Sequence, residues 1–187
     1  RSKQAAEEMI KARFADKPIS MLRPTAVYGP REKDLFVLFN TMNKGVDAYI
    51  GRKPQQLTFV YVKDLVDVLI QACLMPQKGL TAYNISDGQL YSRYAMAEIF
   101  KTVLQRKMLR LHIPLGLVRY VAQLSQWMYR NSNNTPVLYP ERLNELTAEN
   151  WGCDISAAQV CLGYKPQFNL SRGLEQSLLW YKNNNWF

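Results

Sequence analysis

The sequence has a single histidine, His112, only three cysteines, and no apolar run near the roughly 20 residues that span a bilayer. A histidine-based metal centre or a Ser/His/Asp triad needs more partners than one imidazole supplies, so metal chemistry is not expected. Cys73, Cys153 and Cys161 are odd in number and lack metal-ligand spacing. They read as idle thiols in a reducing, cytoplasmic compartment. The polar, charged opening does not read as a secretory signal. Glycine is sparse too. A dinucleotide pyrophosphate is cradled by glycines two and five residues apart, whereas the nine glycines here never come closer than six. Acid is the last shortage, with 15 Asp and Glu against 24 Lys and Arg, a net charge of +9. Much of that excess lies between Arg93 and Arg130, where Glu98 is the only acid. The stretch has no zinc-finger spacing, RNA-binding motif or Arg-rich helix, so a solvated basic face is expected rather than nucleic-acid binding.

What is present fits a chain of 187 residues with a proper core. Residues 2–14 are rich in Ala, Glu and Lys and predict a helix. The nearly continuous apolar run at 19–24 predicts a strand buried on both faces. Helical spacing recurs at 32–44, 64–74 and from Ser92 onward, the last with Ser92 as N-cap. Strands are expected near 48–50, 56–62, 81–86 and 108–113. Pro114 opens a helix to about 130, whose Leu117, Val118, Val121, Leu124 and Met128 are expected on a core face. A loop at 131–136, short helices near 140–147 and 155–162, and a closing helix at 171–182 complete the pattern. Strands alternating with helices indicate an α/β fold. Only 19–24 and 81–86 read as fully buried parallel strands, too few for a doubly wound sheet of their own.

Four segments then stand in order along the chain: LRPTAVYGP, TFVYVKDLVDVLIQA, YNISDGQ and WGCDISAAQVCLGYKPQFNLSRGLEQSLLWYKNNNW. Together they resemble the extended short-chain dehydrogenase/reductases, the NAD-dependent epimerase/dehydratases. The resemblance implies the C-terminal part of a Rossmann-type enzyme, its last two parallel strands with flanking helices, joined to a small mixed α/β substrate domain. Residues 1–30 and 63–92 would be the remnant of the dinucleotide-binding domain, and 31–62 and 93–187 the substrate-binding domain. The family carries Tyr-x-x-x-Lys on a helix. Lys3 falls on its lysine, and the tyrosine would lie outside the sequence. Residues i and i+4 share a helix face, where an ammonium lowers the phenol pKa and holds the cofactor ribose.

By the same resemblance, Lys3 is catalytic and, with Pro24 and Thr25, binds cofactor. Ala26, Val27, Arg31, Arg52, Leu57 and Tyr61 are expected on the substrate side. Ala26 stands where nucleotide-sugar enzymes usually have Asn, and Leu57 where they commonly have Arg. Two lost phosphate contacts imply a more apolar alcohol or ketone, as in the 3β-hydroxysteroid dehydrogenase-like branch. The expectation is therefore an NAD(P)-dependent oxidoreductase or epimerase, inactive as this fragment, with NAD or NADP bound mainly by a missing N-terminal Rossmann half that acts as a partner. The alternatives are a nucleotide-sugar epimerase/dehydratase, or a non-catalytic relic binding an anionic partner through Arg93–Arg130. A homodimer and a membrane surface along the helix after Pro114 stay open. Arg23 is expected to be a buried structural cation, and Asp64 a helix N-cap.

Overall fold

The computed structural model describes residues 2–76, 78–128, 143–144 and 146–187. The expected loop at 131–136 and half of the expected helix at 140–147 lie outside them. The described elements run α1 (Ser2–Phe14), β1 (Ile19–Pro24), β2 (Ala26–Tyr28), α2 (Asp34–Asn43), β3 (Val46–Ile50), β4 (Gln56–Leu57), β5 (Phe59–Tyr61) and α3 (Val62–Leu74). They continue as β6 (Leu80–Ile85), β7 (Tyr91–Ser92), α4 (Ala95–Leu104), β8 (Leu109–Ile113), α5 (Leu115–Met128), α6 (Ser156–Leu162) and α7 (Leu170–Asn183).

Two compact units are formed. The first takes Arg1–Gly29, Thr58–Gln89 and Cys153–Gln176; the second takes Pro30–Leu57, Leu90–Gly152 and Ser177–Phe187. In the first, β1 pairs with β6 and β2 with β5, both parallel. Val60, Val68, Tyr83, Ile85, Ala158, Leu162 and Tyr164 form its buried core. The β-branched and aromatic residues of these strands suit a pleated surface covered on both faces. In the second, β3 pairs with β8 in parallel and β4 with β7 antiparallel. Its core gathers Phe39, Met42, Phe100 and Tyr181, with Phe39 and Phe100 stacked at 6.2 Å between ring centroids.

The expected fold class is corrected here. Parallel α/β pairing is not confined to two last strands: three parallel pairs, six strands in all, run through both units with helices between them. The half-exposed strands β3 and β8 hid their pairing, because only continuously apolar runs read as parallel from sequence. Three local expectations also change. Ser92 pairs with Gln56 in β7 instead of capping α4, whose N-cap is Tyr94. Asp64 lies in the first turn of α3, but its buried carboxylate accepts the backbone N–H groups of Gln167 and Phe168, both at 3.0 Å. On α5 only Val118 and Ala122 are buried, and Leu117, Val121, Leu124 and Met128 are exposed.

Buried tyrosines pin the first unit together. The Tyr28 hydroxyl donates to the Asn169 carbonyl at 3.2 Å and the Tyr164 hydroxyl to the Ser86 carbonyl at 3.0 Å. Burial pushes the Tyr164 phenol well above its ordinary range. Gly173, on α7, packs directly against the Tyr28 ring: a Cβ there would lie 2.9 Å from the ring Cζ and closer still to the hydroxyl. Alanine in a helix ordinarily gains about 1 kcal/mol over glycine. Here overpacking costs about 1–3 kcal/mol against a ring with nowhere to go. Gly173→Ala is therefore expected to lower the thermal midpoint by about 2–4 °C per kcal/mol lost; a raised midpoint in a melting curve would show that the ring yields.

Candidate active site at the ends of the parallel strands

The chain changes strand partner at Thr25. Up to Pro24, which lies opposite Ile85, β1 runs beside β6. One residue later the strand resumes as β2, with Ala26 opposite Phe59 of β5. Thr25 bridges the two ladders: its N–H and its hydroxyl both donate to the Ile85 carbonyl, at 3.0 and 3.3 Å. The neighbouring Asp87 N–H donates to the Phe59 carbonyl at 2.9 Å. Open α/β sheets take ligands outside the carboxyl ends of their parallel strands, which makes this strand end a candidate site. Pro24 is exposed there, and Thr25, Ala26 and Val27 are half-buried.

Helix α1 is tied to the same strand. Arg23 Nε donates to Glu7 Oε1 at 3.1 Å, and a second, shorter bond joins Nη2 to Glu7 Oε2. Arg23 is thus a paired cation as expected, but a part-exposed one, with 42% of its side chain accessible. Lys3 lies four residues before Glu7 on α1, exposed and in no ion pair among the described residues. The fork therefore fixes the helix carrying Lys3 to the strand delivering Pro24 and Thr25. The sequence reading missed Glu7, for which the only signal was its place one helical turn after Lys3.

The other expected residues separate. Tyr61 belongs to the first unit but is buried, with its hydroxyl donating to Gln176 Oε1 at 3.2 Å and its ring 4.6 Å from Phe168. Burial and the Asp64 charge raise its phenol. Arg31, Arg52 and Leu57 belong to the second unit. Arg31 adopts φ 69° and sets its guanidinium 5.8 Å from the Trp180 ring centroid. Arg52 is exposed, and Leu57 is half-buried in β4 opposite Tyr91. A cleft of about 430 Å³ opens elsewhere in the first unit, beside Asp64, Gln71, Tyr164 and Gln167. None of the expected residues lines it, and its buried Asp64 is already spent on two backbone N–H groups. The strand end at Pro24–Val27 is the better candidate because it lies at the carboxyl ends of parallel strands, where open α/β sheets take ligands. No cluster of three or more His, Cys, Asp or Glu suited to a metal occurs among the described residues. No described helix is long and apolar enough to cross a membrane.

Alternating strands and helices, parallel pairing and a candidate site at the strand ends define a Rossmann-type α/β chain. Residues 1–86 match the model of the NAD dependent epimerase/dehydratase family. The chain is 24% identical to a ceramide reductase of Caulobacter vibrioides over 99% of its own length and 57% of the relative's. It is 26% identical to the UDP-glucose 4-epimerase of Vibrio cholerae, over 94% of this chain and 51% of that protein. In fold it resembles MoeE5 in complex with UDP-glucuronic acid and NAD, with a TM-score of 0.73 and 18% identity over 98% of this chain and 55% of that one. The chain thus spans about half the length of the curated relatives it matches.

These likenesses correct the expected identity. The resemblance is not restricted to a C-terminal half nearest the 3β-hydroxysteroid dehydrogenase-like branch: it runs through nearly the whole chain and reaches nucleotide-sugar enzymes. Rossmann-type α/β structure is found within the chain itself, so a cofactor held mainly by an absent N-terminal half, and that half as a partner, are not retained. The inactive-fragment reading and the exclusion of nucleotide sugars fall with them. Ala26 and Leu57 had carried that exclusion. Two side chains at a binding loop are weak grounds, because other groups can meet the same phosphate.

The Glu7–Arg23 fork has a testable pH signature. Arg23 holds the Glu7 carboxyl below its ordinary value of 4.5. Its folded value being depressed, the tether is present above pH 4.5 and is lost as pH falls through the lowered value. Amide exchange across α1 is expected to accelerate in acid, and Glu7→Gln is expected to show that faster exchange already at neutral pH. Unchanged α1 protection in the variant would show that packing alone holds the helix.

Proposed function

We propose that this chain serves NAD-dependent epimerase or dehydratase chemistry on a nucleotide-diphosphate sugar, with the strand end at Thr25 as the reacting centre. The partner change at Thr25, with Lys3 on the helix that the Glu7–Arg23 fork ties to β1, is the observation that carries the reading. Its support from likeness is the family match over residues 1–86 and the fold shared with a protein holding UDP-glucuronic acid and NAD. When bound, the dinucleotide supplies hydride acceptance and return at its nicotinamide. The residues here fit the nicotinamide–ribose end: Pro24 offers an apolar wall, Thr25 keeps lone pairs free for a carboxamide, and Lys3 offers donors to ribose hydroxyls. Lys3 also stabilises, by its charge, the deprotonated form of any proton-transfer group beside it.

Ala26 and Val27 are assigned to the substrate side of this strand end, and Tyr61 supports them from beneath as a buried residue. Arg31, Arg52 and Leu57, in the second unit, are kept as proposed substrate-binding residues. We place the chemistry in the cytoplasm, with Cys73, Cys153 and Cys161 as free thiols.

The test is turnover of UDP-glucose and UDP-glucuronic acid with NAD, followed by separation of the sugar nucleotides. Conversion is expected for at least one of them, with Lys3→Ala lowering turnover by about 100-fold or more. Near-normal turnover in Lys3→Ala would remove Lys3 from the chemistry, and no conversion of either sugar nucleotide would overturn the substrate class.

A further inference from the structure

Helix α5 presents three sectors. At roughly 100° per residue, Val118, Ala122 and Ser125 share the face turned into the protein, two of them buried and Ser125 half-buried. Arg119, Gln123 and Gln126 form an exposed polar sector. The third sector is apolar and exposed: Leu117, Tyr120, Val121, Leu124, Trp127 and Met128 are between 44% and 72% accessible. Positions 117, 121, 124 and 128 make one continuous stripe at helical spacing, with Tyr120 and Trp127 along one border. A stripe of this size exposed on one helix marks an interaction surface rather than scattered surface residues.

Charge identifies the partner. The second unit, to which α5 belongs, holds fourteen Lys and Arg against seven Asp and Glu, which is +7 of the chain's +9. Lys101, Arg106 and Lys107 are exposed and in no ion pair among the described residues. A second copy of this chain would bring the same net positive charge, whereas an anionic surface complements it.

We propose that α5 lies flat on an anionic lipid surface, its Leu117–Met128 stripe entering the acyl boundary while the basic second unit holds the headgroups. The fourteen described residues of α5 extend about 21 Å, less than a hydrocarbon core of about 30 Å, which suits a helix resting in the interface. Tyr120 and Trp127, apolar rings with a polar edge, suit the headgroup level. The mode is that of an interfacial amphipathic helix, in which apolar burial and attraction to anionic lipid act together.

The test is co-sedimentation of the full chain with vesicles of phosphatidylcholine alone or with about one third phosphatidylglycerol, at low and high salt. Pelleting is expected with the anionic vesicles at low salt, weakened at least about tenfold by Leu124→Glu/Trp127→Glu and by high salt. Both substituted side chains are exposed, and a far-UV spectrum confirms that the variant stays folded. Absence of pelleting at low salt would overturn the proposal, as would pelleting that the double substitution leaves unchanged. Sedimentation equilibrium without lipid supplies the rival outcome: a dimer that Leu124→Glu dissociates would assign the stripe to a second copy instead.

Discussion

One carbonyl oxygen holds the candidate site in shape. Ile85 ends β6, and its carbonyl accepts both the N–H and the hydroxyl of Thr25. Without it, the chain between β1 and β2 would have no reason to bend away from β6 toward β5. A buried carbonyl left unpaired costs about 1–3 kcal/mol, so the bond enforces the partner change as well as decorating it. Threonine suits the position because its hydroxyl adds a second donor beside its own N–H. Pro24 suits the residue before, since it carries no N–H and its fixed φ is compatible with a strand end.

The rest of the first unit keeps that strand end where it is. Tyr28 buries its ring between Phe59 and Tyr61 and spends its hydroxyl on Asn169, while Gly173 leaves the ring its space. Asp64 reaches from the start of α3 to the 167–168 backbone, so the segment leading into α7 is bonded to the helix that follows β5. These are polar groups in an apolar setting, each with a partner. Such networks fix one arrangement more firmly than apolar packing alone. Rigid strand ends with a less constrained outer helix, α1, leave Lys3 dependent on the Glu7–Arg23 fork for its placement.

Much of this was legible in the sequence. The apolar run at 19–24 and the LTAYNI run announce the β1–β6 pair, and Gly163 stops α6 in the left-handed conformation that glycine accepts readily. LRPTAVYGP singles out Pro24 and Thr25, whose part in binding is a proposal. What was not legible depended on distant partners. Ser92 has the chemistry of an N-cap, yet Gln56 claims its backbone for a strand pair. Asp64 has the same chemistry, yet a loop a hundred residues away supplies better donors. The α5 pattern gave a core face, but only a narrow sector finds anything to pack against. Periodicity tells which residues share a face and is silent on what that face meets. The substrate class failed for a related reason, since Ala26 and Leu57 show which side chains are absent and not which others do their work.

The central claim is that the strand end at Thr25 receives the nicotinamide end of NAD beside Lys3. A titration of ¹⁵N-labelled protein with NAD, read amide by amide, tests it most directly. The account predicts dose-dependent shifts concentrated at Thr25, Ala26, Val27 and Lys3. Shifts confined to the cleft beside Asp64 and Gln167, or none at saturating NAD, would contradict it.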